Sequence, residues 1–345
     1  MTFHKLSKLK KGDKVAIVSP SFAAPAVWPE VYELGLSRLR DVFGLIPVEY
    51  PTTKKLNASG QDRAKDLISA FENKEIKAVI STLGGDDEVT YIKNLPKEPF
   101  LNNPKPFFGY SDTTHFQNFL WMNGIPSFYG GNLFTQFAMQ GRMDEMTKKY
   151  LDIAIFKDIE TILDFSDYYN DEGLSWADLD NLNKIRKYEK NSDWYWDGDK
   201  STEGILWGGC LESLDEILRH NIEIPTLEQF SNIVFMFETS EEIPSSDYVF
   251  RVLRGFGERS FFDKIKAVLV GRPKTWEFDN QKNSEEKDNY KRKQIETVIK
   301  AVRKYNSSCP IIQNLDFGHT DPQICMPIGK RVRINSTKKE IYAEF

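Results

Sequence analysis

Ile76–Gly85 reads IKAVISTLGG. A β-branched apolar run that closes on two glycines is a buried strand ending where another group must approach the backbone. The flanking sequence repeats the theme. Upstream, Lys14–Pro20 (KVAIVSP) is a strand closed by proline, and Leu45–Tyr50 is a second strand. Between the strands, Val31, Leu34, Leu39 and Val42 recur at helical spacing, and Ala64, Leu67, Ile68 and Phe71 share one helical face. Downstream, the spacing predicts a short helix carrying Val89 and Ile92, a strand over 106–110, a helix over 112–122 and a strand over 125–129. Such alternation predicts an α/β fold, a parallel sheet with helices on both faces. Ligands of these sheets sit beyond the carboxyl ends of the strands.

The rhythm breaks over residues 164–203, where 11 acidic residues face 5 basic ones, a net −6 against −5 for the whole chain. The stretch also holds Trp176, Trp194, Trp196 and five further tyrosines or phenylalanines, so it is no disordered linker. A long aromatic loop reads as a lid or binding loop. The pattern then resumes with a strand at 205–209, a helix over 211–220, strands at 233–237 and 267–270, and helices over 246–253 and 290–303. Strands at 309–312, 332–334 and 341–343 complete it. This predicts a nucleophile-bearing α/β domain over 1–160, an insert over 161–203 and a smaller α/β domain over 204–345.

The chain has 345 residues, or about two domains at about 150 residues each. With 40% hydrophobic and 28% charged residues it has the composition of a globular protein. A net charge of −5 argues against general nucleic-acid binding. Cys210, Cys309 and Cys325 form no CxxC pair, and with four histidines they make a poor zinc set. The N-terminus lacks the apolar core of a signal peptide, and no apolar run reaches the ~20 residues of a membrane helix. The expectation is a cytoplasmic protein with no metal and no membrane partner.

Three segments carry candidate chemistry. In Phe107–Thr114 (FFGYSDTT), Ser111 falls between a strand and a helix, the setting of a nucleophile elbow, with helix N–H groups available to an oxyanion. In Phe235–Thr239 (FMFET), Glu238 ends an apolar strand, where a carboxylate can orient a histidine. In Leu315–Pro322 (LDFGHTDP), His319 lies in a turn-rich loop. Each segment alone also fits a plainer role: a helix cap at Ser111 or Asp112, a solvated Glu238, an idle loop histidine. Gly84 and Gly85 fit an oxyanion hole or a phosphate cradle but match no nucleotide fingerprint.

Together, STLGGDD, GYSDTT, WGGCLESL, FETSEE and FGHTDPQICMPIG resemble the LD-carboxypeptidase family of serine peptidases, over nearly the whole chain from KKGDKVAIVSPS onward. The resemblance implies a parallel-sheet N-terminal domain and a smaller α/β C-terminal domain with the active site between them, and a homodimer. It implies a triad of Ser111, Glu238 and His319, with an oxyanion hole from the backbone of Gly85 and Asp112. It implies no cofactor. Within the family, the aromatic insert is similar to that of the microcin C immunity branch, where a tryptophan of this loop stacks on a nucleobase; Trp176 in GLSWADL is the positional match, and Gly84 would line the same substrate site. Three positions in two segments depart from that branch. Glu241 and Glu242 stand where it is basic, and Lys274 stands where it has an acidic reader of the aminoacyl end. A lysine there would draw a carboxylate and repel an ammonium group.

The expected function is that of a serine carboxypeptidase or amidase acting on a peptide or aminoacyl-nucleotide small molecule. The alternative is release of the terminal D-alanine of a murein L,D-tetrapeptide, and a third reading is an idle protein that sequesters an adenylated ligand. Loss of the insert or of Trp176 is expected to hurt only the nucleotide activity.

Overall fold

Alternate residues of the first strand, β1 (Lys14–Val18), enter two different cores. Val15 and Ile17 pack with Val31, Tyr32, Leu36 and Leu39 of α1 (Pro29–Asp41); Ala16 and Val18 pack with Leu67, Ala70 and Phe71 of α2 (Gly60–Glu72). The sheet is therefore buried on both faces, which explains runs that are apolar throughout. This is a computed structural model, and it describes residues 2–345.

The strand β2 (Ile46–Glu49) pairs with β1, and β3 (Ile76–Ser81), α3 (Glu98–Asn102), β4 (Phe107–Gly109), α4 (Thr114–Met122), β5 (Ser127–Tyr129) and α5 (Glu145–Phe156) follow. The chain then enters the second sheet with β6 (Glu160–Ile162). The insert holds a small hairpin, β7 (Tyr168–Tyr169) and β8 (Glu189–Lys190), and ends in β9 (Tyr195–Asp197). Next come β10 (Thr202–Cys210), α6 (Leu211–Arg219), α7 (Leu227–Phe230), β11 (Ile233–Glu238), α8 (Ser246–Glu258), β12 (Ala267–Gly271), α9 (Ser284–Arg303) and β13 (Ile311–Leu315). The last strands are β14 (Met326–Ile328), β15 (Arg331–Asn335) and β16 (Glu340–Glu344).

The first sheet has six strands in the order β14-β5-β4-β3-β1-β2 and the second eight in the order β6-β16-β15-β10-β11-β12-β13-β9. In each, the central strands run parallel. The α/β fold is as expected, with one refinement: both sheets are mixed. β14 returns from the end of the chain to lie antiparallel on β5, and β9 caps β13 antiparallel. A three-residue strand such as β14 has too little sequence to announce itself.

Other elements also differ from expectation. Val89 and Ile92 lie on two 3₁₀ turns, because the Asp112 carboxylate takes the N–H groups of Asp87 and Glu88, both at 3.0 Å, and pins the chain short of a helix. Helix α9 starts six residues before Tyr290, where Asn283 and Glu286 form a reciprocal capping box. The insert is not wholly a loop, since β9 belongs to the second sheet. Helix α5 was not anticipated at all.

Candidate active site

Ser111 opens the 3₁₀ turn between β4 and α4 with φ of +67°. This left-handed conformation costs a serine roughly 1–3 kcal/mol, and such strain concentrates at functional sites. Neither Ser111 nor Asp112 caps the helix through its side chain. The glycine pair after β3 lies against the turn. A Cβ on Gly84 would stand 2.9 Å from Ser111 Cβ and 3.3 Å from the Asp112 nitrogen, and one on Gly85 (φ +144°) would stand 2.2 Å from Ser21 Oγ. Gly84 thus lets its turn approach that of Ser111 this closely, while Gly85 makes room for Ser21. Among the described residues, no acceptor takes the N–H of Gly85 or of Asp112.

Glu238, fully buried at the end of β11, holds His319 Nδ1 with Oε2 at 2.7 Å, and Oε1 accepts the Tyr129 hydroxyl at 2.5 Å. It is a paired core carboxylate and not a solvated loop residue. Glycines make room for it: a Cβ on Gly318 would sit 2.5 Å from Oε2, and one on Gly271 would sit 2.7 Å from Glu238 Cβ. The Tyr129 oxygen also accepts the Ser111 N–H at 3.3 Å, so one phenol joins the Ser111 backbone to the carboxylate. Burial first, and the Glu238 charge second, push the phenol well above its ordinary range and keep it a donor. Sequence reading missed Tyr129, although its position at the end of a parallel-sheet strand is the available signal.

His319 Nε2 faces Glu241 Oε2 at 3.0 Å, and the Tyr110 ring lies 4.9 Å from the imidazole. Among the described residues, no hydrogen bond joins His319 to Ser111 Oγ. Burial opposes protonation of His319, but Glu238 and then Glu241 outweigh it and raise the imidazole well above its ordinary range. Desolvation likewise opposes the charge of Glu241, but the His319 charge and hydrogen bond hold that carboxyl down at about 2.

Gly84, Gly85, Ser111, Glu241 and His319 all line one cavity of ≈ 530 Å³, within the range of small-molecule sites. Its far wall comes from the insert. Trp176 lines it and packs edge-to-face on Trp28 (5.1 Å between centroids) and Phe134 (5.4 Å). Trp194 instead donates to Asp316 at 2.9 Å, and Trp196 belongs to β9. Lys274 lines the cavity, but its ammonium is engaged by the Asp171 carbonyl (2.7 Å) and Glu277 (3.6 Å). Arg186 also reaches the cavity, paired with Asp321.

The other candidates lie elsewhere. His115 is buried with Nδ1 2.9 Å from the Asp112 carbonyl, and His220 closes α6. The three cysteines are buried and unpaired. Among the described residues, two clusters come close enough to hold a metal. In the cluster Asp171, Glu172 and Glu189, the Lys287 ammonium already fills the centre at 2.7–3.2 Å. In the cluster Asp112, His115 and Glu216, the imidazole pairs with both carboxylates, at 3.0 and 3.4 Å. No helix among the described residues is long and apolar enough to cross a membrane.

The chain is similar to known proteins over nearly its whole length. Residues 15–130 match the LD-carboxypeptidase N-terminal domain and residues 203–334 the LD-carboxypeptidase C-terminal domain. The Bacillus subtilis protein YocD, which carries the name of a carboxypeptidase, is 29% identical over 334 residues, spanning 96% of this chain and 95% of its own. The microcin C7 self-immunity protein MccF of Escherichia coli is 23% identical, spanning 96% and 93%. An MccF-like protein from Streptococcus pneumoniae, solved in complex with AMP, superposes with a TM-score of 0.83 at 25% identity, covering 97% of this chain and 99% of that one. The chain belongs to the LD-carboxypeptidase family and is a serine-type carboxypeptidase, a hydrolase of peptide or amide bonds.

Proposed function

We propose that Ser111 is the nucleophile, His319 its general base and Glu238 the residue that orients His319, and that the substrate is an aminoacyl or peptidyl nucleotide. The observation that carries the triad is the 2.7 Å Glu238–His319 pair opening on the same cavity as the strained Ser111. His319 Nε2, once unprotonated, takes the Ser111 Oγ proton as Oγ attacks the scissile carbonyl. The developing oxyanion turns to the N–H groups of Gly85 and Asp112. His319 then protonates the leaving nitrogen, and water releases the acyl group from Ser111. The nucleotide half of the reading is supported by the aromatic wall at Trp176 and by the AMP bound to the Streptococcus relative.

The test is paired hydrolysis, followed by mass spectrometry, of aspartyl sulfamoyl adenosine and a murein L,D-tetrapeptide, with Ser111→Ala as control. Cleavage of the adenosine compound, lowered by several powers of ten in the variant, is expected. Near-normal turnover by Ser111→Ala would sink the triad. Release of D-alanine alone would make the protein a murein-trimming enzyme instead.

A further inference from the structure

The cavity wall carries four carboxylates, Asp171, Glu241, Glu277 and Asp321. Three have cationic partners that take no part in the proposed chemistry. Asp171 is held by Lys287 at 3.2 Å, Glu277 faces Lys274 at 3.6 Å, and Asp321 is paired with Arg186. The cation beside Glu241 is His319 itself, at 3.0 Å. When His319 is neutral, as a general base must be, Glu241 loses its nearest cation and keeps only the charge of Lys274, which Glu277 shares. We propose that Glu241 latches His319 in the empty site and selects substrates with a free ammonium group beside the scissile carbonyl, which release the latch by taking its carboxylate. The proposal rests on the reading of His319 as general base.

An imidazole can donate from both nitrogens only when it carries both protons, and an imidazolium has no lone pair for a serine proton. Here Nδ1 faces Glu238 and Nε2 faces Glu241, so this arrangement holds His319 in its idle form. The groups that face it from every side agree. Glu238 comes from β11 and Glu241 from the turn that follows. The Tyr110 ring comes from the end of β4. Asp321, on the same loop as His319, is neutralised by Arg186, and Lys274, after β12, is engaged by Asp171 and Glu277. Burial opposes the imidazolium, and Glu238 and Glu241 together outweigh it.

Glu241 is also placed to move. Its side chain is 54% exposed, while the backbone of its turn is held by Ser240, which donates from N and Oγ to Glu212 at 3.0 and 2.9 Å, so the carboxylate can swing without the turn. The α-ammonium of an aminoacyl group stands one carbon from the acyl carbonyl, within the same small space as Ser111 and His319. In the armed site that ammonium pairs with Glu241 and the Nε2 proton passes to water. Nε2 then accepts the Ser111 proton as the Oγ–carbon bond forms. An N-acylated substrate, a peptidyl nucleotide included, brings no cation there and leaves the latch in place, so the aminoacyl member of the proposed substrate class is the one favoured.

The experiment has two arms on the full chain. In the first, ¹H–¹⁵N NMR titrates His319 in the wild type, Glu241→Gln and the neighbouring control Glu242→Gln, with His319→Gln for assignment. The expected result is a titration midpoint at least one pH unit lower in Glu241→Gln and unchanged in Glu242→Gln. In the second, hydrolysis of aspartyl sulfamoyl adenosine is compared with that of its N-acetyl derivative across pH. The wild type should prefer the free amine at least tenfold. Glu241→Gln should lose that preference, and the acid limb of its rate should move to lower pH. An unmoved His319 titration, or a preference that survives in Glu241→Gln, overturns the proposal. If neither compound is cleaved by the wild type, the nucleotide reading fails, while the NMR arm still decides whether the latch exists.

Discussion

Replacing Tyr129 with phenylalanine removes one oxygen and leaves the ring's packing among Tyr110 and Phe317 in place. That oxygen donates to Glu238 Oε1 at 2.5 Å and accepts the Ser111 N–H at 3.3 Å. Glu238 is fully buried, so water cannot replace the lost donor. A hydrogen bond to a charged group contributes about 1.5–3 kcal/mol. If that stabilisation serves the Glu238–His319 pair as the imidazolium forms, the loss reads as a roughly 10- to 100-fold fall in rate at about 1.4 kcal/mol per decade. Two assays report it: kcat for amide hydrolysis, and the rate at which a fluorophosphonate labels Ser111, which needs no knowledge of the natural substrate. Both should fall together, with KM little changed. A variant that loses stability in urea but keeps both rates within twofold of wild type would refute the reasoning and leave Tyr129 as a packing residue.

Gly318→Ala should be among the most damaging small substitutions. The residue has φ of +102° and its Cβ would meet Glu238 Oε2 at 2.5 Å, so a stability loss of about 1–3 kcal/mol in urea and near-complete loss of activity are expected. Trp176→Ala should weaken nucleotide binding by about 10- to 100-fold, the 1–3 kcal/mol typical of a base stacked on an aromatic ring, and calorimetry with AMP would show it. Deleting the insert should abolish hydrolysis of every substrate and not of nucleotides alone. Asn170 exchanges two 2.8 Å backbone hydrogen bonds with Asp321, and Trp194 donates to Asp316, so the insert clasps the loop that carries His319. Lys287→Met should leave buried Asp171 without its ammonium partner, at a cost of about 1–3 kcal/mol, and speed limited proteolysis within residues 164–203.

What the sequence disclosed depended on how local the governing physics was. Ser111, Glu238 and His319 each follow or end a strand, and strands announced by β-branched runs fix where their carboxyl ends fall. The glycines at 84 and 85 were visible for the same reason, since a turn that must pass close to another group needs a residue without a Cβ. Long-range pairings left no such mark. Nothing in Tyr129 distinguishes it from any aromatic in a buried strand until Glu238, 109 residues away, is placed against it. The charge of Lys274 suggested a carboxylate anchor, yet its ammonium is consumed by Asp171 and Glu277, and Asp171 belongs to the insert. Glu241 registered only as an unusual charge, because its meaning lies in which imidazole nitrogen it faces.

The two halves of the site come from different sheets, so something must fix one sheet against the other to within hydrogen-bonding tolerance. Three devices do so. First, α4, the helix launched by Ser111, docks directly on β10: Thr114 Oγ1 accepts the Cys210 N–H at 3.0 Å, Trp121 donates to the Leu206 carbonyl at 3.1 Å, and Trp207 donates to Asn118 at 3.1 Å. Second, β10 passes this placement to Glu238, since Cys210 stands opposite Glu238 in the parallel register of β10 and β11. Third, the chain beyond His319 crosses back to the first sheet, where Met326 pairs with Tyr129. Because a slip of one residue turns every side chain of a strand to the opposite face, these registers decide whether Tyr129 reaches Glu238 at all. Ser111, Glu238 and His319 are thus positioned by buried strand pairings and indole and hydroxyl hydrogen bonds. That rigid frame leaves the half-exposed Glu241 side chain as the part of the site free to respond to a substrate.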